Sequence, residues 1–303
     1  MKLPFRLIVI AGPTASGKTD LAIRLAQAFR AEVISADSRQ IYREMQIGTA
    51  RPPEEEMQGV PHHFVGTRSI RDYYSAGRYE QDVLDLIRRL STTTDRAFLV
   101  GGSGLYIRAV SHGIDALPGP DPALRGQLIT RLEEEGLDPL VRELLLLDPA
   151  ASDRTDLRNP KRVLRALEIM YQTGLPMPAK ARSAPLPRPF TMLKIGLHMD
   201  REALYSRINL RADQMIAQGL LEEVRALHPY RSLTALQTVG YTEFFNYLEG
   251  KYSFEEAVRL FKRNTRRYAK RQLTWFRKDK EFEWFNPFHF HEIKDHVNQF
   301  LNL

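Results

Sequence analysis

Short, wholly apolar runs alternate with amphipathic stretches along the first part of the chain. The run Leu7-Ile8-Val9-Ile10-Ala11 has no polar position and predicts a strand buried on both faces. Runs at 32–36, 97–100 and 193–199 predict three more strands, and a short aromatic run at 282–285 a fifth. Between them, apolar residues at steps of three and four predict helices over 20–29, 76–90, 104–111 and 123–135. Such alternation implies parallel βαβ units in a doubly wound sheet. From 117 to 189 the strands disappear, and prolines cluster at Leu117-Pro118-Gly119-Pro120 and Ala184-Pro185-Leu186-Pro187-Arg188-Pro189. These predict hinges around a helical insertion at 116–191, with the core formed by 1–115 and 192–303. The last third reads as mostly helical. Val258, Phe261, Thr265, Tyr268, Gln272 and Trp275 share one helical face, expected to be core packing. Arg263, Arg267, Lys270 and Thr274 share another, expected to be held toward a cleft.

The first strand runs into Gly12-Pro13-Thr14-Ala15-Ser16-Gly17-Lys18-Thr19, and a helix pattern follows at once. Strand, glycine-rich loop and helix in that order form a phosphate-binding loop. Gly12 and Gly17 let successive N–H groups turn inward, the helix N-terminus adds partial positive charge, and Lys18 adds a full one. The Thr19 hydroxyl is the expected Mg²⁺ ligand. The fold class is therefore α/β, a P-loop NTPase-like parallel sheet with flanking helices plus a helical insertion domain.

Composition narrows the field. The 303 residues suffice for a large core and an insertion, and the absence of cysteine excludes disulfides, thiolate zinc sites and cysteine nucleophiles. No 18-residue apolar span and no signal peptide are present, so a cytoplasmic location is expected. The formal charge of +7 is concentrated. Nine cations stand between Lys262 and Lys280 against the single acid Asp279, and Arg154, Arg158, Lys161, Arg162 and Arg165 form a second cluster. A solvated helix face normally intersperses acids, so both clusters point to nucleic acid or phosphate.

Two more strand ends carry chemistry. The second strand delivers Asp37-Ser38-Arg39-Gln40 to the ligand end of the sheet, beside the phosphate loop. Asp37 can accept a proton, hold Mg²⁺ through water, or cap a helix at 38–44. The third junction, Val100-Gly101-Gly102-Ser103-Gly104, lacks the acid that a phosphate-hydrolysing enzyme uses to position metal or water. Its glycines suit close approach of a ligand. His62-His63 after Pro61 reads as a turn rather than a metal site.

Taken together, Gly12 to Thr19, Ile34-Ser35-Ala36-Asp37-Ser38-Arg39-Gln40-Ile41-Tyr42, Ile47-Gly48-Thr49-Ala50, Pro61-His62-His63 and Val100-Gly101-Gly102-Ser103-Gly104-Leu105-Tyr106 resemble the tRNA dimethylallyltransferases. Arg165-Ala166-Leu167-Glu168-Ile169, Val239-Gly240-Tyr241 and Tyr268-Ala269-Lys270-Arg271-Gln272-Leu273-Thr274-Trp275-Phe276-Arg277 extend the resemblance over nearly the whole chain. It is similar to the compact bacterial form, since a cysteine-free chain has no zinc finger. Ser103 stands where many members have Thr.

The resemblance implies transfer of a dimethylallyl group from its diphosphate to the exocyclic amine of an adenine next to the anticodon, with Mg²⁺. The phosphate loop, Gly12, Pro13, Thr14, Ala15, Ser16, Gly17, Lys18 and Thr19, would then hold a leaving group. Asp37 would be the base. Arg207 and Arg211 are the candidates for a further diphosphate contact, with Arg211 favoured. Asp37, Ser38, Arg39, Gln40 and Ser103 would meet a flipped base. Arg125, with Lys161, Arg162, Val163, Leu164 and Arg165, would touch RNA from the insertion, which is expected to close over it. Gln237, Thr238, Val239, Gly240, Tyr241 and Thr242 would grip the loop. A monomer acting on tRNA and dimethylallyl diphosphate, away from membranes, is the expectation. The competing readings are a P-loop kinase, a relative that prenylates free adenine nucleotides, and an RNA-binding module with a regulatory nucleotide site.

Overall fold

A computed structural model describes residues 4–114, 117–176 and 186–302. Residues 115 and 116 at the near edge of the expected insertion, with Ala184 and Pro185 of the second hinge, lie outside the described residues. Six parallel strands, β1 (Phe5–Ala11), β2 (Glu32–Ser35), β3 (His62–His63), β4 (Arg96–Gly101), β5 (Phe190–Leu197) and β6 (Phe282–Phe285), form one sheet in the order β3-β2-β4-β1-β5-β6. All seven residues of the central β1 are buried, which explains the unbroken apolar run from Leu7 to Ala11. From β1 the chain crosses to β2 beyond β4, then fills in β4 and only later adds β5 on the other side of β1, leaving a crevice at the carboxyl ends of β1, β2 and β4.

Helices α1 (Lys18–Phe29), α2 (Ala76–Leu90), α3 (Gly104–His112), α7 (Arg201–Ala217), α8 (Leu220–Leu227), α9 (Thr242–Leu248), α10 (Phe254–Phe276) and α11 (Phe290–Leu301) belong to the same compact unit, residues 1–112 and 187–303. Ile8, Ile10, Leu21, Leu25, Phe98, Ile195, Ile293 and Val297 form one core cluster. A second joins Ile41, Met45, Leu220, Val224, Tyr241, Phe244 and Phe261. Among the described residues no helix is long and apolar enough to cross a membrane.

The other unit, 113–186, holds α4 (Pro122–Glu135), α5 (Leu137–Leu147) and α6 (Pro160–Thr173). Its core is Leu128, Leu140, Leu144, Val163 and Leu167. Proline opens both α4 and α6, where the missing N–H costs nothing, and the Asp121 carboxylate accepts from the first-turn N–H groups of Ala123 and Leu124.

Three local expectations are corrected. His62 and His63 are not a turn: they pair with Val33 and Ile34 as a two-residue edge strand. Two polar residues held through the backbone carry no alternation for a sequence to display. Residues 38–44 are not a helix but successive turns, closed by Tyr42 N donating to Arg39 O and Met45 N to Tyr42 O. The glycines at and after the end of β4 admit the protein's own groups closely, while Gly101 and Gly102 also line the cavity at this end of the sheet. A Cβ on Gly101 would stand 2.1 Å from the Ala36 carbonyl oxygen, one on Gly102 2.2 Å from Gln272 Nε2, and one on Gly104 2.1 Å from the Trp275 ring. The first contact is with backbone and cannot give way. Gly101→Ala is expected to destabilise the core unit by about 3 kcal/mol, read as a lowered denaturant midpoint. An unchanged midpoint would refute this close packing.

Candidate active site

The phosphate loop leaves β1 at Gly12 and enters α1 at Lys18. Ala15 (φ +64°) and Gly17 (φ +86°) are both left-handed, the backbone turn from which an anion-cradling nest is built. No side chain caps α1, so its first-turn N–H groups stay available to an anion. Ser16 Oγ is buried without a partner among the described residues. Lys18 Nζ donates to the Pro13 carbonyl at 2.6 Å. Two N–H groups of the loop are already taken: Ser16 N donates to Pro13 O at 3.3 Å and Thr14 N to Gln272 Oε1 at 2.9 Å, while Gln272 Nε2 donates to the Gly102 carbonyl at 2.9 Å. Gln272, reaching in from α10, thus latches the phosphate loop to the loop after β4.

A cavity of about 280 Å³ lies at this end of the sheet. Thr14, Ala15, Lys18 and Thr19 line it, together with Asp37, Ser38, Arg39, Gln40, Arg211, Thr238 and Val239. His62 borders it too, its Nδ1 donating to Val60 O at 2.8 Å, and burial lowers its pKa so that the ring is neutral. A second cavity, about 970 Å³, shares Ala15, Lys18, Thr19, Arg211 and Met215 and is bordered by Arg207 and Gln214. Lys18 and Thr19 therefore stand where two openings meet.

Electrostatics favour an incoming anion. Burial, and then the nearby Arg211 guanidinium, push the Lys18 ammonium down to about 7, while Asp37 opposes them. Burial likewise lowers Arg211 from its usual value, with Asp37 and Glu56 acting against it and Arg207 with it. Two cations short of negative charge face the same space. Arg211 Nη2 donates to Ala50 O at 3.2 Å, and Arg207 Nε to Ala15 O at 2.9 Å. Arg211 lines both cavities; Arg207 is exposed beside the larger one.

Asp37 does cap its turn. Its Oδ1 accepts from Arg39 N at 2.8 Å and Gln40 N at 3.2 Å, and no described residue bonds Oδ2. One oxygen fixes the carboxylate and the other can receive a proton. Ser103 does not line the cavity. Its Oγ accepts from Ser38 N at 2.9 Å and donates to Ser38 Oγ at 3.1 Å, so it holds Ser38, which does.

The remaining expected site residues divide. Gln237 and Thr242 are exposed, Thr238 and Val239 line the cavity, and Gly240 and Tyr241 are buried. Tyr241 has 0% exposure and donates to Glu223 Oε1 at 2.7 Å, so its side chain is not an RNA-facing group. Within the insertion, Lys161 and Arg162 are exposed. Val163 and Leu164 are core residues, which leaves contact by this stretch to its neighbours. Arg125 and Arg165 both pair with the fully buried Glu168, at 2.5 and 2.7 Å. A buried carboxylate needs such partners, so both arginines have a structural task in the insertion.

The helical face taken for core is core only in part. Val258 and Phe261 pack in the second cluster. Phe261, Thr265, Tyr268 and Gln272 of α10 also line the cavity, whereas Arg267, Lys270 and Thr274 are exposed and do not. Gln272, the polar exception in an aromatic stripe, was the available signal. Glu223 of α8 gave none. Among the described residues one cluster of possible metal ligands, His112, Asp279 and Glu281, lies elsewhere, but Lys194 Nζ already bridges both carboxylates at 2.8 and 2.5 Å.

Residues 40–279 match the family model described as IPP transferase. The chain is 47% identical to tRNA dimethylallyltransferase 1 of Phocaeicola vulgatus, covering 98% of this chain and 99% of that protein. It is 48% identical to the tRNA dimethylallyltransferase of Cytophaga hutchinsonii, over 95% and 94%. The solved full-length tRNA isopentenylpyrophosphate transferase of Bacillus halodurans superposes with a TM-score of 0.72 at 38% identity, covering 97% and 96% of the two chains. A eukaryotic dimethylallyltransferase acting on tRNA gives 0.70 at 29%, over 89% and 69%.

Proposed function

The chain belongs to the IPP transferase family of tRNA dimethylallyltransferases, and on that footing we propose how its own residues carry out the transfer. A dimethylallyl group passes from dimethylallyl diphosphate to the N6 amine of the adenine 3′-adjacent to the anticodon, and diphosphate leaves. The observation that carries this reading is one cavity lined at once by Lys18, Thr19, Arg211 and Asp37. It pairs an anion cradle with a carboxylate, and β4 ends in Gly101 where a hydrolase would place an acid.

In this mechanism the bond broken is carbon–oxygen, and its electron pair departs with the diphosphate. Gly12 to Thr19, Lys18 and Arg211 stabilise that charge as it develops, and Arg207 secures the loop at Ala15. The adenine lone pair is delocalised into its ring and makes a weak nucleophile. As the N6–carbon bond forms, the N6 proton passes to Asp37 Oδ2 and from there to solvent. The cavity's oxygen donors, the Thr19 hydroxyl and the Asp37 carboxylate, suit a hard cation such as Mg²⁺. When bound on Thr19, Mg²⁺ supplies further neutralisation of the diphosphate.

On the acceptor side, Ser38, Arg39, Gln40, Thr238 and Val239 receive the flipped base, with Ser103 fixing Ser38. Gln237 and Thr242, with Lys161, Arg162 and Arg125 of the insertion, meet the anticodon loop. Acting on tRNA, the enzyme works in the cytoplasm. Arg162→Gln is expected to reduce the salt slope of stem-loop binding by about one unit, as loss of one phosphate contact would; an unchanged slope would make Arg162 a solvated charge.

The reading is tested by following diphosphate release. Release should require both donor and anticodon stem-loop and should match donor consumption one for one. Transfer of the γ-phosphate of ATP to a small acceptor, with no diphosphate from the prenyl donor, would make the protein a P-loop kinase instead.

A further inference from the structure

Glu223 stands in the first turn of α8, outside every motif above, yet its carboxylate accepts four hydrogen bonds near the site. Oε2 accepts from Gln46 N at 2.8 Å and Ile47 N at 2.7 Å; Oε1 accepts from Gly48 N at 2.9 Å and Tyr241 Oη at 2.7 Å. No described cation pairs with it, so its charge is met by three consecutive backbone donors and a phenol. Burial and the Glu223 charge raise the Tyr241 pKa, which keeps that phenol a donor. The Tyr241 ring also packs on Gly48, where a Cβ would come within 2.7 Å of it.

The loop so gripped is held from its other side by groups of the site. Gln40 Nε2 donates to Thr49 O at 3.1 Å and to Ala50 O at 3.0 Å, and Arg211 Nη2 donates to the same Ala50 O at 3.2 Å. Ala50 itself is left-handed (φ +48°), a conformation a non-glycine residue keeps only under outside constraint. Glu223 takes the loop's N–H groups, and the loop's carbonyls take Arg211 and Gln40.

We infer that Glu223 is a positioning residue for the transfer reaction: by fixing the 46–50 loop it aims Arg211 at the donor diphosphate and Gln40 at the acceptor base. This rests on the proposed function, in which Arg211 stabilises the leaving group. The donor-side effect of Glu223 is then exerted through Arg211 and should largely vanish when Arg211 is gone, leaving only what passes through Gln40.

The test is a double-mutant cycle on donor kcat/KM. Glu223→Gln keeps the shape but turns one acceptor into a donor facing backbone N–H groups, and is expected to lower donor kcat/KM about 10- to 100-fold. In an Arg211→Ala background the same change should cost less than about threefold. Tyr241→Phe, which removes one bond and keeps the ring, should cost about fivefold alone and again little beside Arg211→Ala. Thermal melting of each variant shows whether it is folded; if Glu223→Gln is not, Tyr241→Phe carries the cycle. Costs that simply multiply, or a Tyr241→Phe enzyme indistinguishable from the parent, would overturn the inference. Absence of any transfer by the parent protein would instead strike the proposed function.

Discussion

Asp37→Asn is expected to slow transfer by about 10²- to 10⁴-fold, the contribution of a positioned general base, while stem-loop affinity changes by less than about twofold. The structure makes this a clean substitution. Asparagine retains an acceptor oxygen for Arg39 N and Gln40 N, the two bonds that Oδ1 makes, so the turn after β2 should persist. What is lost is Oδ2, the oxygen no described residue engages, and with it the ability to take the adenine proton. A single-turnover rate and a binding titration on the same variant separate the two effects. Unimpaired turnover would remove Asp37 as the base, and a collapse of RNA binding would make it a recognition residue.

The second large effect belongs to Lys18. Its ammonium sits at about 7, held down by burial and by Arg211, in a pocket whose charge awaits an anion. A diphosphate placed there favours the charged form and raises the value. The sign follows from that direction. Below about pH 7 Lys18 is already protonated, and donor binding needs no proton on its account. Above it, the free protein holds a neutral amine, so binding takes up a proton and donor affinity falls as the pH rises. The limiting slope is about tenfold per pH unit. At pH 8.5, where a diphosphate ester carries its full charge, calorimetry in buffers of different ionisation enthalpy should show nearly one proton taken up. Lys18→Met should abolish that uptake and reduce donor kcat/KM by about 10²- to 10³-fold. Uptake that persists in Lys18→Met would assign the titration to another group.

Much of this was legible in the chain because the information is local. Strands buried on both faces are largely apolar, so the runs of β1, β4 and β5 stand out from their neighbours even though β1 carries Arg6 and β5 carries Lys194. The phosphate loop needs its glycines, lysine and hydroxyl within one turn of backbone, and all lie in eight consecutive residues. The edge strand β3 was invisible, since it is two histidines joined by backbone pairing alone. The supports of the site were illegible for a different reason. Gln272 reaches the phosphate loop across 258 residues of chain, and Glu223 reaches Ile47 across 176. Gln272 at least interrupts an aromatic stripe, but nothing in a single sequence says what it reaches, and nothing distinguishes Glu223 from a solvated glutamate on a helix. The same limit explains the glycines after β4. A sequence shows that something must approach closely, but only the fold shows that it is the Ala36 carbonyl, Gln272 and Trp275.

The central claim, that this cavity alkylates an adenine within RNA, is tested most directly by supplying the protein with Mg²⁺ and dimethylallyl diphosphate labelled in the prenyl group. Three acceptors run in parallel: an anticodon stem-loop with adenine 3′-adjacent to the anticodon, the same stem-loop with that adenine replaced by guanine, and free AMP. Label on the first RNA alone is the predicted result. Label on AMP, or on neither RNA, would contradict it.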